Sequence, residues 1–263
     1  MSKQNIAIDL YCKKFEKLKK NEMKTIFTKL SIVYLITILC TSCSINMLNK
    51  ITGDGNVVTE NRNLASNFTG IIASNGLDVY VTQENKNAIS VTADENLQDI
   101  IITEVENGIL MIYSERNIWR AKSKKIYVSI KTVTSLTATS GSEISSKGTI
   151  NADEISIDAT SGAGIRITVD ANSVATSTSS GSEIRISGNA DNHSSEATSG
   201  STIKAYDLIS KNVFAKATSG ADINIYASNK IEAKANSGGD IDIQGTPKKI
   251  IKKSSSGGSI SNR

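Results

Sequence analysis

The 263-residue chain is poor in several residue types, and each scarcity excludes something. Its three cysteines, Cys12, Cys40 and Cys43, all lie in the first 43 residues. Everything beyond them can hold neither a disulfide framework nor a cysteine-ligated metal. The single histidine, His193, excludes a histidine zinc cluster and argues against a Ser-His-Asp apparatus. Only eight aromatic residues follow Cys43, so a core there must be built from Ile, Val, Leu and Ala. A basic body is missing too. The net charge of +4 comes from 30 Lys+Arg against 26 Asp+Glu, but residues 1–42 carry eight of the lysines and three of the acids. The rest holds 22 basic and 23 acidic side chains, so nucleic acid is not an expected partner.

The N-terminal charge belongs to a leader. Residues 23–44 read MKTIFTKLSIVYLITILCTSCS: Lys24 and Lys29 precede an uncharged apolar stretch from Leu30 to Leu39. Ten residues are too few for a bilayer span, which needs about 20, but suit the hydrophobic region of a signal peptide. Thr41 and Ser42 then precede Cys43. This segment resembles the lipobox of bacterial lipoproteins, with Cys40 standing where that motif prefers Leu. The resemblance implies a signal peptide over 23–42, a lipid on Cys43 and anchoring in the outer membrane, since no acid follows Cys43 to suggest inner-membrane retention. A plain secretory signal and an uncleaved anchor helix are the alternatives. Residues 1–22 lie upstream of a complete signal peptide, so translation is expected to start at Met23. Residues 43–66, rich in Asn, Ser, Thr and Gly after the cysteine, read as a lipidated residue and its tether.

The strongest signal is a repeat. ATSGSEI (138–144), ATSGAGI (159–165), TSSGSEI (178–184), ATSGSTI (197–203), ATSGADI (217–223), ANSGGDI (235–241) and SSSGGSI (254–260) align. Their glycines, Gly141, Gly162, Gly181, Gly200, Gly220, Gly238 and Gly257, step by 18 to 21 residues. Helical repeats need about 33 residues or more, whereas strand solenoids need about 20. Between the glycines, pairs such as Ile165/Ile167, Ile184/Ile186 and Ile223/Ile225 alternate with polar residues, as short half-buried strands do. The expected fold is therefore all-β: a parallel β-helix (β-solenoid) with coils of about 19–20 residues. Each recurrent Gly should mark a corner where a positive φ or a close backbone approach disfavours other residues. The serines before them (Ser140, Ser161, Ser180, Ser199, Ser219, Ser237, Ser256) should stack as a hydroxyl ladder. Residues 142–143, 163–164, 182–183, 201–202 and 221–222 should face outward.

Residues 68–133 are strand-like without the repeat, with Leu77, Val79 and Val81 as inward candidates and Asn75-Gly76 and Asn107-Gly108 as tight turns. Phe68 to Val81 (with ASNGLDVYV at its end), Val91 to Leu97, Thr103 to Leu110, Val128-Ser-Ile130 and the serial S-G-x-x-I coils resemble the auto-transporter adhesin, head GIN-domain family. The resemblance covers about residues 67–260 and implies one domain over 67–263, regular from 134 onward. It further implies a right-handed helix of the pectin-lyase-like type, an envelope location and an adhesive role. No catalytic residues or cofactors come with it.

Three functions compete. The first is a non-enzymatic surface module that binds glycans or a surface protein, with Tyr113, Trp119, Tyr127, Tyr206 and Tyr226 as candidates to stack on sugars. The second is a polysaccharide lyase or hydrolase. Its candidate carboxylates are Glu143, Glu183 and Asp222, interrupted by Gly164 and Thr202 at matching positions, with Arg166 and Arg185 one coil apart. The interruption and the repetition favour a solvated surface over a catalytic or calcium site. The third is a docking scaffold or homo-oligomer formed through the end coil, where Lys248, Lys249, Lys252 and Lys253 bracket Ile250 and Ile251 as edge gatekeepers.

Overall fold

The computed structural model describes residues 50–63 and 66–263; the leader and Cys43 lie outside the described residues. Residues 50–263 form a compact unit with its own core. The first part runs β1 (Lys50–Thr52), β2 (Val57–Arg62), β3 (Gly70–Ala73), β4 (Asp78–Gln83), β5 (Ala88–Asp94), a 3-10 turn (Glu95–Ile100), β6 (Ile101–Glu106), β7 (Ile109–Ser114), β8 (Asn117–Arg120) and β9 (Lys124–Ile130). The coils continue with β10 (Ser135–Ala138), β11 (Glu143–Ala159), β12 (Gly164–Thr178), β13 (Glu183–Ala197), β14 (Thr202–Ala205), β15 (Leu208–Thr218) and β16 (Asp222–Tyr226). They end with β17 (Lys230–Asn236), β18 (Asp240–Gln244), β19 (Lys249–Ser254) and β20 (Ser259–Asn262).

The architecture is the expected β-solenoid of about seven turns. Parallel register stacks Ile126, Val79, Ile144, Ile165, Ile184, Ile203, Ile223, Ile241 and Ile260 in one column, rungs about 4.8 Å apart. All but Ile260 are buried. Period-2 alternation then places the intervening residues on the outer face, which is why a six-residue strand can show both faces of the wall.

Each corner holds two consecutive left-handed residues. Ser161 and Gly162 have φ of 55° and 71°, and the other six Ser-Gly pairs match them. A Cβ at Gly162 or Gly181 would meet nothing within 4 Å, so glycine is required there by its φ and not by crowding. Stacking at the corner is carried by backbone: the Gly162 N–H donates to the Ser180 carbonyl at 3.1 Å, and this bond recurs from coil to coil. The serine hydroxyls do not form the expected ladder. They are exposed, and Ser140 and Ser161 lie 3.5 Å from the hydroxyl of the threonine before them. The enclosed hydroxyls belong instead to Ser142, Ser182 and Ser201, directly after the glycine. Ser182 donates to the carbonyls of Ala159 (2.7 Å) and Ser179 (2.8 Å). Positions 142, 163, 182, 201 and 221 are thus inward, and only 143, 164, 183, 202 and 222 face out. The corner turn takes up two residues, which puts the alternation one step later than a glycine-only corner would.

The segment read as a tether is structured from Lys50. β1 pairs parallel with β8, and β2 pairs antiparallel with β5. The buried Asp94 carboxylate holds this segment in place, accepting from the backbone N–H groups of Gly55, Lys122 and Ser123 at 2.9–3.2 Å. Burial alone would raise its pKa, but those donors outweigh burial and hold the carboxyl below its usual range. A Gly- and Asn-rich stretch looks like linker because its order comes from a partner 40 residues away.

At the far end, the inward alanines Ala233 and Ala235 are followed one rung on by Lys252 and Ser254, and Ile243 by Asn262. The inner face turns polar at the outermost described rung, with Ile250 40% exposed there.

Candidate binding face

Two outward rows run across the wall formed by β9, β4 and the strands after each corner. Register places Lys125, Asp78, Glu143, Gly164, Glu183, Thr202, Asp222 and Asp240 in one row. Beside it, two residues on, lie Tyr127, Tyr80, Ser145, Arg166, Arg185, Lys204, Asn224 and Asp242. A row of aromatic residues therefore leads into a row of cations, with acids alongside.

The Tyr80 and Tyr127 rings stack with centroids 5.3 Å apart and planes 20° from parallel. The Lys147 ammonium lies 4.5 Å from the Tyr127 ring centroid and 5.4 Å from that of Tyr80. Neither phenol hydroxyl bonds to protein among the described residues, and neither is enclosed, so both are open to a ligand or water. Next along the row, Glu183 sits between Lys204 (2.6 Å) and Arg185 (3.4 Å). Partial burial raises its pKa, but the hydrogen bonds and charges of Lys204 and Arg185 prevail and keep it below the usual carboxylate range. Arg166 is exposed and forms no ion pair among the described residues. Gly164 leaves a notch of about 220 Å³ between Glu143 and Glu183, floored by Ala163 and Ile165 and rimmed by Arg166 and Arg185. That is below the several hundred Å³ of a small-molecule pocket, and suits one projecting group of an extended ligand.

The carboxylates considered for hydrolysis are in register. Glu143 and Glu183 lie two rungs apart, and Asp222 two rungs further. Among the described residues, every carboxyl with a displaced pKa (Asp94, Glu183, Glu232) is displaced downward, whereas a general acid needs one raised. No group of three or more His, Cys, Asp or Glu is placed to hold a metal among the described residues. His193 lies inside the wall, fully enclosed and away from the outer rows.

The aromatic candidates scatter. Tyr113 donates to Glu104 (2.9 Å), a bond that raises its pKa. Tyr206 is half-buried with its hydroxyl enclosed, and burial raises its pKa. Trp119 is exposed on β8, apart from the row. Tyr80 was not among the candidates, yet it is Tyr127's partner. The signal was present in the triplets Val79-Tyr80-Val81 and Ile126-Tyr127-Val128, which put both rings at the outward position of equivalent strands.

Solved structures share this architecture. A protein described as a "putative adhesin" from Bacteroides fragilis is 18% identical, with a TM-score of 0.76 over 81% of this chain and all of its own. A "putative lipid binding protein" from Parabacteroides distasonis is 23% identical (TM-score 0.67; 81% of this chain, 99% of its own). A "putative adhesin" from Parabacteroides merdae is 18% identical (TM-score 0.65; 82% and 99%). At these identities the likeness speaks of the fold alone. Among curated proteins nothing matches. The family model described as "Putative auto-transporter adhesin, head GIN domain" matches residues 67–247, more than two thirds of the sequence, and the chain belongs to that family.

Proposed function

We propose that this chain is a non-enzymatic cell-envelope protein, held to the outer membrane by a lipid on Cys43, that uses the Tyr127–Lys204 row to bind an acidic glycan. The supporting observation is the row itself: two stacked tyrosines capped by Lys147, continued by Arg166, Arg185 and Lys204 on successive rungs. Rungs about 4.8 Å apart give a periodic array of donors, which suits a ligand that is itself extended and repetitive. Arginine offers paired N–H groups to carboxylate or sulfate, and only Arg185 and Lys204 already share an acid. Among the described residues each carboxyl with a displaced pKa is displaced downward, which supports binding over turnover.

A glycan array probed with residues 50–263 tests this reading. Binding concentrated on uronate or sulfated glycans is expected, with an affinity loss of about tenfold in Arg166→Glu, one lost charge-assisted contact plus repulsion. Silence across the array, or binding that Arg166→Glu leaves untouched, overturns it.

A further inference from the structure

The only tryptophan in the chain is 58% exposed, whereas of the large aliphatic residues after residue 66 only Ile209 and Ile250 are exposed. Trp119 lies on β8, whose pairing with β1 sets Ile51 against Ile118 on the side that packs on the core. The opposite side carries Asn117, Trp119 and Lys50, with the Lys50 ammonium 3.8 Å from the indole centroid. A three-residue strand paired with a four-residue one is too small to stand for its own stability. A tryptophan serving the core would point the other way.

The same segment is dense in charge. Within residues 115–122, Arg116, Arg120 and Lys122 stand against a single acid, Glu115, whereas Lys125 lies in the outer row of the wall beside Asp78. The segment holds two of the chain's six arginines, and Lys50 adds to it. None of these cations forms an ion pair among the described residues. The nearby Asp94 forms no ion pair with them: its oxygens accept backbone N–H groups, and it attracts Lys122 only through space. An amphipathic ring with Lys50 against it, flanked along the chain by the exposed and unpaired Arg116, Arg120 and Lys122, is the composition that settles at the headgroup level of a bilayer.

We propose that the β1–β8 face is a membrane-contact surface for anionic phospholipid, with Trp119 entering the headgroup region and Arg116, Arg120, Lys122 and Lys50 meeting the phosphates. Lipid, and not a soluble polyanion, is chosen because Lys50 is the seventh residue after Cys43. Seven residues span at most about 25 Å, so a lipid on Cys43 brings this face, more closely than any other described part of the chain, to the bilayer. That choice rests on the anchoring reading above. The patch would fix the orientation that a flexible lipid tail leaves free.

Trp119 is its own reporter. Residues 50–263, which lack Cys43, are mixed with vesicles of phosphatidylcholine alone or blended with phosphatidylglycerol. The expected result is a blue shift of Trp119 emission and co-sedimentation with the blended vesicles only. Each basic residue near an anionic surface is worth about fivefold, so Arg116→Gln with Arg120→Gln should weaken binding roughly 25-fold. Trp119→Ala should weaken it too while leaving circular dichroism unchanged, since the ring lies outside the core. No shift and no co-sedimentation overturns the proposal, as does binding to a soluble acidic polysaccharide at this face with none to vesicles. Lipidation is read separately, from the mass of the protein isolated from its membrane. An unmodified Cys43 with vesicle binding intact would sink the anchoring reading and leave the contact surface standing.

Discussion

From residue 134 onward every strand pairs parallel to its equivalents in the adjoining coils, whereas residues 50–133 mix parallel pairing with three antiparallel pairs. In the coils, chain order and axial order agree. In the first region they do not: β7 and β9 lie outside β3 and β4, although they follow them in sequence, and β10 and β11 take the other side. The antiparallel partners β6 and β5 then pair with β7 and β9. A solenoid end is a pair of unsatisfied strand edges, and reversing the chain closes it in a way that further identical coils cannot. Repetition extends the molecule; irregularity terminates it. The aromatic pair of the candidate row sits in the irregular region and its cations in the regular one, so the proposed binding row draws on both.

The sharpest test of this contrast is Asp94→Ala. It strands the partly buried N–H groups of Gly55, Lys122 and Ser123. At about 1–3 kcal/mol for each unsatisfied group, partly relieved by water, the expected loss is about 4 kcal/mol in chemical denaturation. Hydrogen exchange should show protection lost in residues 50–133 and kept in β13 to β17. A uniform loss along the chain would mean the two regions are one cooperative unit.

The second test concerns an exception among the coils. His193 occupies the inward position held by Val174 and Val213 on the rungs either side. Its Nε2 meets the Thr176 hydroxyl at 2.9 Å, Thr176 donates to Ser195 (3.2 Å), and Nδ1 has no partner among the described residues. Burial lowers its pKa from 6.5 to about 4. Between those values the unfolded chain takes up a proton that the folded chain refuses, so stability falls with pH. Some 2.5 units correspond to about 3 kcal/mol, fully present above pH 6.5 and gone below pH 4. His193→Val should remove that slope from melts taken between pH 7 and pH 4. An unchanged slope would place the acid sensitivity elsewhere.

The smallest expected effect separates two kinds of glycine. A Cβ at Gly188, outside the repeated S-G-x-x-I segments, would overlap the Val169 carbonyl, and its φ is 112°. Gly188→Ala should cost roughly 2–3 kcal/mol. Gly181→Ala, with open space around it, should cost about 1 kcal/mol in the same denaturation series. Equal costs would show that the corner is crowded after all.

The coils were legible because a repeat multiplies weak local evidence. One S-G-x-x-I segment is ambiguous, but seven at a spacing of 18 to 21 residues leave a strand solenoid, and Ile144, Ile165, Ile184, Ile203, Ile223 and Ile241 are buried as the alternation requires. The inward set directly after each glycine was misassigned because a turn's two positive-φ residues look in sequence like one glycine and an ordinary serine. Ordering of residues 50–62 was invisible for another reason: Val57 to Arg62 gain their partners from Ile89 to Asp94. The candidate row was half legible, since Arg166 and Arg185 follow from the period, whereas Tyr80 joins Tyr127 only through a pairing that crosses 47 residues without a repeat.

By itself, then, the sequence determined the period, the inward isoleucine column and the corner positions, because these depend on local alternation and on a backbone conformation that glycine favours. Tertiary structure decided how the solenoid is closed, which residue holds the entering segment, and that two tyrosines and three cations share a row. Those depend on which distant strands become neighbours, and no local pattern encodes a neighbour.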